Sequence, residues 1–404
     1  MMHRHVFALM FAVAFGAVTA SVALAQAVPQ PVERPARPGW SLTPSIGYGQ
    51  IADDNVLVQG KEAAVSGDLL SVITPRAALD FNGQRGHLSV DYSGTFEFYR
   101  QFDSLDNFNQ FEAVAARRLM TPHTSLFVQQ QFALTPTTEL PAAAGIPFAR
   151  VGARVVGLRG GIDHSFTKHT TLSAFYSFQN IAFDKHSTPF VLVGGFGNGA
   201  SMTVRHETTA RMTLLVDYDF QRTSVIDNGA SSIQNLRAGG EYRFSATSSL
   251  FAEGGIARLG PNALSPAHTG PSFQAGMAHK LRRGDVGVTY TVGYVPSFGN
   301  GQTIRSDDVG AHLRMTISRR LYSQGSLNWR RDDPLSGPLV TLLGEQNLRT
   351  LLFTGLVGYP ASRFLHVEGF FMASRQTVSR PGGDVNINRV GIQAVMTGKP
   401  ARLR

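Results

Sequence analysis

Cysteine is absent from all 404 residues, which excludes disulfide staples, thiolate nucleophiles and cysteine-ligated metals, and leaves no lipidation site behind an export signal. Charge is scarce too. Asp, Glu, Lys and Arg make up 16% of the chain, against roughly 25% in an average soluble domain. Lysine is rarest, with five residues beside 32 arginines, and the formal net charge is +9. Beyond Ala25 no apolar run approaches the roughly 18 residues of a spanning helix, so any membrane span has to be built from strands. What is plentiful is glycine (42) and phenylalanine (27), spread as alternation and not gathered into long runs.

The first 25 residues carry the pattern of a secretory signal: a basic start at His3, Arg4 and His5, an apolar centre from Val6 to Ala20, and a small-x-small site at Ala23-Leu24-Ala25. An uncleaved anchor is the alternative. Residues 26–39, rich in Pro with Arg34 and Arg37, form neither helix nor ladder and are expected to be an extended periplasmic linker.

From Trp40 onward the chain falls into strand-like segments of about 9 to 14 residues. Gly86 to Tyr99 shows the pattern at its clearest: Leu88, Val90, Tyr92, Phe96 and Phe98 share one parity, His87, Ser89, Asp91, Ser93, Thr95 and Glu97 the other. Trp40–Gln50 opens a series that continues through Leu69–Phe81, Asn107–Leu119, Ser125–Leu134, Val155–Phe166 and Thr171–Phe183, and closes with Val385–Met396. Eighteen segments result, with sixteen as the alternative count, and short connections alternate with long ones. This grammar predicts an all-β fold: a transmembrane antiparallel up-and-down barrel over residues 40–397 in the outer membrane, with both termini and the short turns in the periplasm and residues 398–404 as a periplasmic tail. A soluble two-sheet sandwich is the competing fold.

In a membrane barrel the aromatic parity faces lipid and the polar parity the lumen. Met212, Leu214, Val216, Tyr218 and Phe220 sort to the lipid side, as do Val286, Val288, Tyr290, Val292 and Tyr294, and Val309, Ala311, Leu313, Met315 and Ile317. Asn347–Tyr359 sorts to neither side. The lumen candidates are Arg76, Asp91, Glu97, Arg159, Asp163, Arg205, Asp217, Asp219, Arg237, Glu241, Arg314 and Glu368, accompanied by Asp80, Glu112, Arg243, Glu253 and Arg389. An arginine-lined, anion-selective pore is one reading of this set. Arginine–carboxylate pairs that brace the wall are the other, with Asp91 and Glu97 expected to find inward arginines. Arg85, Arg117, Arg118, Arg282, Arg283, Arg319, Arg320 and Arg363 fall at the predicted periplasmic turns, where they meet anionic headgroups. The loops Thr135–Arg150 and Pro261–Gly270 are long enough to fold inward and constrict the lumen.

Chemistry is sparse. Asp163-His164-Ser165 and His206-Glu207 are compact polar clusters, but neighbours on a strand point to opposite faces, which argues against a catalytic role. Asp53-Asp54-Asn55 offers hard oxygen ligands for Ca²⁺ or, more simply, an Asx turn. Gly157, Gly160 and Gly161 lie within a strand and relieve crowding rather than bind nucleotide. No cofactor, metal site or enzymatic motif is expected, and nucleic acid is an improbable partner for an exported chain.

The stretches SIGYGQIADDNV, SVITPRAALDFNGQRGHLSVDYSGTFEFY and NFNQFEAVAARRLMTPHTSLFVQQQF resemble the opening of the outer-membrane β-barrel porin family whose members include barrels encoded with exopolysaccharide and exosortase systems. Asp53 to Asn55, Pro75 and the Tyr-rich third strand carry the resemblance, over roughly residues 42–135. It implies an outer-membrane channel or scaffold for a solute, plausibly an exported polysaccharide, with membrane lipid, small solutes and the barrel-assembly machinery as partners. A general or anion-preferring porin is the alternative, and a rim-site enzyme a more distant one. The terminal MTGKPARLR departs from the aromatic ending of many such barrels.

Overall fold

A computed structural model describes residues 38–403 except 62, 64, 139–145, 147, 185–191, 226–228, 262–266, 297, 299–302, 336–346 and 379–382. The expected signal segment, nearly all of the linker and residues 262–266 of the Pro261–Gly270 loop lie outside the described residues, and His268–Gly270 of that loop belong to a strand. The described chain is almost wholly strand: β1 (Gly39–Asp53), β2 (Asp68–Asn82), β3 (Gly86–Tyr99), β4 (Asn107–Thr121), β5 (Thr124–Thr135), β6 (Ala153–Ser165), β7 (Thr170–Phe183), β8 (Gly195–Glu207), β9 (Met212–Val225), β10 (Gly229–Arg243), β11 (Ser248–Leu259), β12 (His268–Leu281), β13 (Gly284–Pro296), β14 (Thr303–Thr316), β15 (Tyr322–Pro334), β16 (Leu348–Pro360), β17 (Leu365–Val378), β18 (Val385–Thr397) and β19 (Ala401–Leu403).

Each strand pairs antiparallel with its sequence neighbours, and β1 pairs with both β2 and β18, so the sheet closes on itself as an eighteen-strand up-and-down barrel. The short β19 continues the seam below β18: Leu403 stands opposite Trp40. Between them Pro400, which has no N–H to donate, interrupts the ladder. Connections at one end of the barrel are turns of two to five residues, and those at the other end are generally longer. The β9–β10 connection at the long end is the exception, because both strands run on until only residues 226–228 separate them.

Two long-range contacts identify the inside of the wall. Phe298, between β13 and β14, packs on Val155 of β6 and Ile181 of β7, and the Gln376 side chain of β17 bonds the backbone of Ile146 and Phe148, between β5 and β6. Neither pair shares neighbouring strands, so both contacts run through the interior. The parities of Val155, Ile181 and Gln376 therefore point inward, and the register carries this assignment around the barrel.

The opposite parity bears the large exposed apolar side chains, among them Ile46, Tyr48, Tyr92, Phe96, Val128, Tyr176, Leu214, Val216, Leu236, Ile256, Phe353 and Ile392. An apolar outside over a mixed or polar inside is the reverse of a soluble sandwich. The strand Leu348–Pro360, which sequence alone leaves unsorted, is apolar on both faces: Leu351, Phe353, Val357 and Tyr359 point out, Leu348, Leu352 and Leu356 in.

Three residues depart from their expected facing. Glu112 pairs with outward Tyr92 and Phe132, which places it outside at mid-height; Asn107 and Asn109, bonded to inward Glu97, fix the parity of β4. Val292 and Tyr294 follow the outward parity of β13 yet are 7% and 6% exposed, because β12 and β13 part beyond Phe273–Val292 and Tyr294 turns onto Ile233, Ala257 and Leu259 of the inner wall.

Glu112 forms no hydrogen bond or ion pair among the described residues. A lone carboxylate amid Tyr92, Val114 and Phe132 opposes burial in hydrocarbon at a cost below the roughly 2–4 kcal/mol of a mid-membrane Arg. Glu112→Leu is expected to raise the unfolding free energy in lipid vesicles by about 1–2 kcal/mol, read as a higher urea midpoint at unchanged slope.

Candidate functional site

The interior divides into an apolar ceiling at the long-loop end and a charged belt below it. The ceiling is assembled from strand ends and the segments that cross between them. Val56, Leu70, Val72 and Tyr99 form one cluster; Val58, Phe148, Val385 and Ile387 a second; Ile233, Ala257, Leu259 and Tyr294 a third; and Val155, Ile181 and Phe298 a fourth. The segment between β5 and β6 is anchored at both ends of its described part. Buried Gln376 accepts from Phe148 N–H at 2.7 Å and donates to Ile146 O at 3.1 Å and Thr350 Oγ1 at 3.2 Å. Arg150 donates to Val56 O at 2.7 Å and Leu105 O at 3.2 Å, with its guanidinium 5.1 Å from the Tyr99 ring. One side chain thereby joins three loops. Val58, on which Phe148 packs, holds φ = 54°, a left-handed conformation that a β-branched residue adopts only when its surroundings enforce it.

The Asp53-Asp54-Asn55 stretch is a fastening of the seam. Buried Asp53 accepts from Arg389 Nε at 2.6 Å and from Asn55 N–H at 2.9 Å, Asp54 accepts from the Asn388 N–H and side-chain amide, and Asn55 donates to Gln59 O and Asn386 O. The carboxylates are occupied by protein donors, as an Asx turn requires. No cluster of three or more metal-ligating side chains occurs among the described residues.

In the belt below, Asp217 and Asp219 of β9 share Arg237 of β10, with Asp219 at 2.8 Å and Glu253 of β11 at 4.0 Å. Arg205 of β8 reaches Glu241 of β10 at 3.0 Å, and Arg243 approaches the same carboxylate at 3.6 Å. Arg76 pairs with Asp91 at 2.7 Å, while Asp163 accepts from Arg117, Ser125 and Ser173. Contacts such as Arg205–Glu241 skip a strand and stitch three strands together.

Other members are held differently. Glu97 is bonded by Asn107, Asn109 and Tyr99 instead of an arginine, and fully buried Glu368 by Tyr322 at 2.5 Å and Gln393 at 2.6 Å. Arg159 lies 3.5 Å above the Phe175 ring and 5.8 Å from Phe127, a cation–π contact inside the wall. Position 161, the register partner of Phe175, is glycine: a Cβ there would collide with the Ala174 carbonyl and come within 2.6 Å of the Phe175 Cβ. Arg314 is exposed on the inward parity opposite Asp285, which His312 approaches at 3.3 Å.

Sequence reasoning missed two inward pairs. Arg117, expected at a turn, points inward to Asp163. Higher up, Arg330 bonds Asp308 at 3.0 Å, beside Ser306–Asp332. The cross-strand register was the signal needed, since Arg117 opposes inward Phe127. His164 turns outward to Thr124 Oγ1, away from Asp163, and His206 bonds Thr170 Oγ1. Within each polar cluster the neighbours point to opposite faces: Asp163 and Ser165 inward against outward His164, and Glu207 inward against outward His206.

No protein family model matches the chain, and no curated protein matches it. Solved structures similar to it include Pseudomonas aeruginosa OpdQ (11% identity, covering 89% of this chain and 98% of that one, TM-score 0.46). Acinetobacter baumannii OccAB4 (8%, 90% and 100%, 0.47) and the P. aeruginosa siderophore receptor PirA (8%, 90% and 81%, 0.42) are further examples.

Arg237 is 14% exposed and faces three carboxylates, so its removal leaves buried like charges together. Arg237→Ala is expected to cost about 2–4 kcal/mol, toward the lower side of a broken buried pair because the belt faces the lumen. Urea unfolding of the vesicle-inserted protein measures it, and removing Asp217 and Asp219 in the same chain should recover part of the loss.

Proposed function

We propose that this chain is an outer-membrane channel for small polar solutes, with its outer mouth constricted by segments of its own loops. The observation that carries the reading is the pairing of an apolar exterior with a charged inner belt. Such a wall is stable with hydrocarbon outside and water inside. Eighteen strands enclose a lumen wide enough for an aqueous path. The short turns then belong to the periplasm and the long loops, with the ceiling they build, to the cell exterior. An N-terminal signal over residues 1–25 fits that route.

The inner belt does not favour anions. Carboxylates outnumber guanidinium groups on the inward parity, and most inward arginines are engaged by carboxylates, which leaves little uncompensated positive field. Neutral solutes and small cations suit this lining better than an anion-preferring pore. Passage of an exported polysaccharide rests on the sequence resemblance and gains no support from the structural comparisons.

The test is planar-bilayer conductance of the purified, heat-modifiable protein. The wild type should conduct weakly, with a reversal potential in a salt gradient that reports slight cation preference. Gln376→Ala and Phe298→Gly, which release the two crossing segments, should raise single-channel conductance severalfold. Absence of current in every salt from all three proteins rejects the channel, and a marked anion preference rejects the reading of the belt.

A further inference from the structure

We propose that the outside of the barrel at its long-loop end carries a binding site for the phosphate groups of outer-leaflet glycolipid, centred on Arg331, Arg349 and Arg375 of β15, β16 and β17. The proposal rests on the outer-membrane placement above.

The register sets the three side chains together. Arg331 and Arg349 are directly opposed Cα partners, and Arg349 faces Thr377, two residues from Arg375 on the same parity. All three are exposed and share the outward face with Trp329, Leu351 and Phe353. Directly opposed like charges destabilise a strand pair unless a counter-ion lies between them. Arg331 has a partial one, Asp333 at 3.0 Å, and Asp307 stands opposite Arg331 in the register. Arg349 and Arg375 have none: neither forms a hydrogen bond or ion pair among the described residues.

Depth identifies the ligand. Trp329 and Leu351, paired one position below Arg331 and Arg349, start the apolar wall, and tryptophan prefers the boundary between acyl chains and headgroups. Arg331 and Arg349 therefore stand at headgroup level, and Arg375, the register partner of Leu351, reaches that level from the boundary row by its long side chain. At that level on the outer face the available polyanions are the phosphates of glycolipid, which arginine grips by paired N–H donors. The same rim elsewhere carries Arg154, Arg222 and Arg258, also outward, exposed and without partners among the described residues; Arg222 and Arg258 flank β10, which places Ser232 and Gln234 opposite them and no third arginine, and Arg154 stands on β6, so no triad forms there.

The full-length protein, refolded in detergent micelles, is titrated with diphosphoryl lipid A, with dephosphorylated lipid A and with inorganic phosphate. Wild type should bind the diphosphoryl form. R331Q/R349Q/R375Q should weaken it about a hundredfold and R349Q alone about fivefold, on the basis of one surface cation each. R349Q and R375Q leave no carboxylate behind, so they serve should the triple variant fold poorly. Equal binding of the dephosphorylated lipid, or unchanged binding by the variants, overturns the proposal. Competition by inorganic phosphate at matching affinity also overturns it, since the source would then be a free anion. Heat-modifiable insertion into vesicles is read on the same samples: loss of insertion sinks the membrane placement, whereas an inserted barrel with phosphate-independent binding sinks only the lipid site.

Discussion

Everything in this wall depends on the closure of β1 onto β18. A strand in hydrocarbon has no water to satisfy its backbone, and each open N–H or C=O costs several kcal/mol, so an eighteen-strand sheet with two free edges is untenable there. The seam runs from Asp53–Arg389 at the long-loop end to Ser45–Thr397, then past Pro400 to Trp40–Leu403 at the other. Its long-loop end is locked by the Asp53-Asp54-Asn55 contacts with Arg389, Asn388 and the Asn386 carbonyl. Those three residues read as an isolated turn in the sequence and act as the fastening of the first strand to the last.

Closure creates an interior that has to be filled or hydrated, and the chain does both at different heights. Below, strand-to-strand ion pairs tolerate water and hold the wall's shape. Above, the segment before β6 lays Phe148 against inward Val385 and Ile387, and the β13–β14 hairpin lays Tyr294 against Ile233 and Leu259 and Phe298 against Val155 and Ile181. The division accounts for the first of the inward leucines of Leu348–Pro360, while buried Leu352 and Leu356 continue an apolar strip below it. Leu348, at the long-loop end of its strand, is buried at ceiling height, so a lumen-facing position there is apolar as well.

Parity was legible wherever one face is aromatic and the other polar, as in Gly86–Tyr99, and the strand number follows from the spacing of turns. Facing was illegible where neither parity is pure. Asn107–Leu119 carries Phe, Ala and Arg on both faces, and treating a charge as inward misplaces Glu112; only the bonds of Asn107 and Asn109 to Glu97 determine it. Partners on distant strands were illegible altogether. That Gln376 would hold Phe148, or that Phe298 would reach β6 and β7, depends on closure bringing residues more than a hundred positions apart within contact. Local alternation holds no record of that.

The arginine content takes its meaning from the same geometry. A chain of +9 suggests an anion path, yet the inward parity is richer in carboxylates, and five arginines without a partner among the described residues, Arg154, Arg222, Arg258, Arg349 and Arg375, stand on the outer rim. Arginine serves both places for one physical reason: its planar fork holds a carboxylate or a phosphate through paired donors, and its weak hydration lets it sit against apolar or aromatic surface. Arg159 over Phe175 uses the second property inside, and Arg349 beside Leu351 the same property outside. Lysine, a compact and strongly hydrated charge, suits neither place as well, in keeping with a chain of 32 arginines and five lysines. Net charge therefore says nothing of the sign of the inner wall, where carboxylates outnumber guanidinium groups.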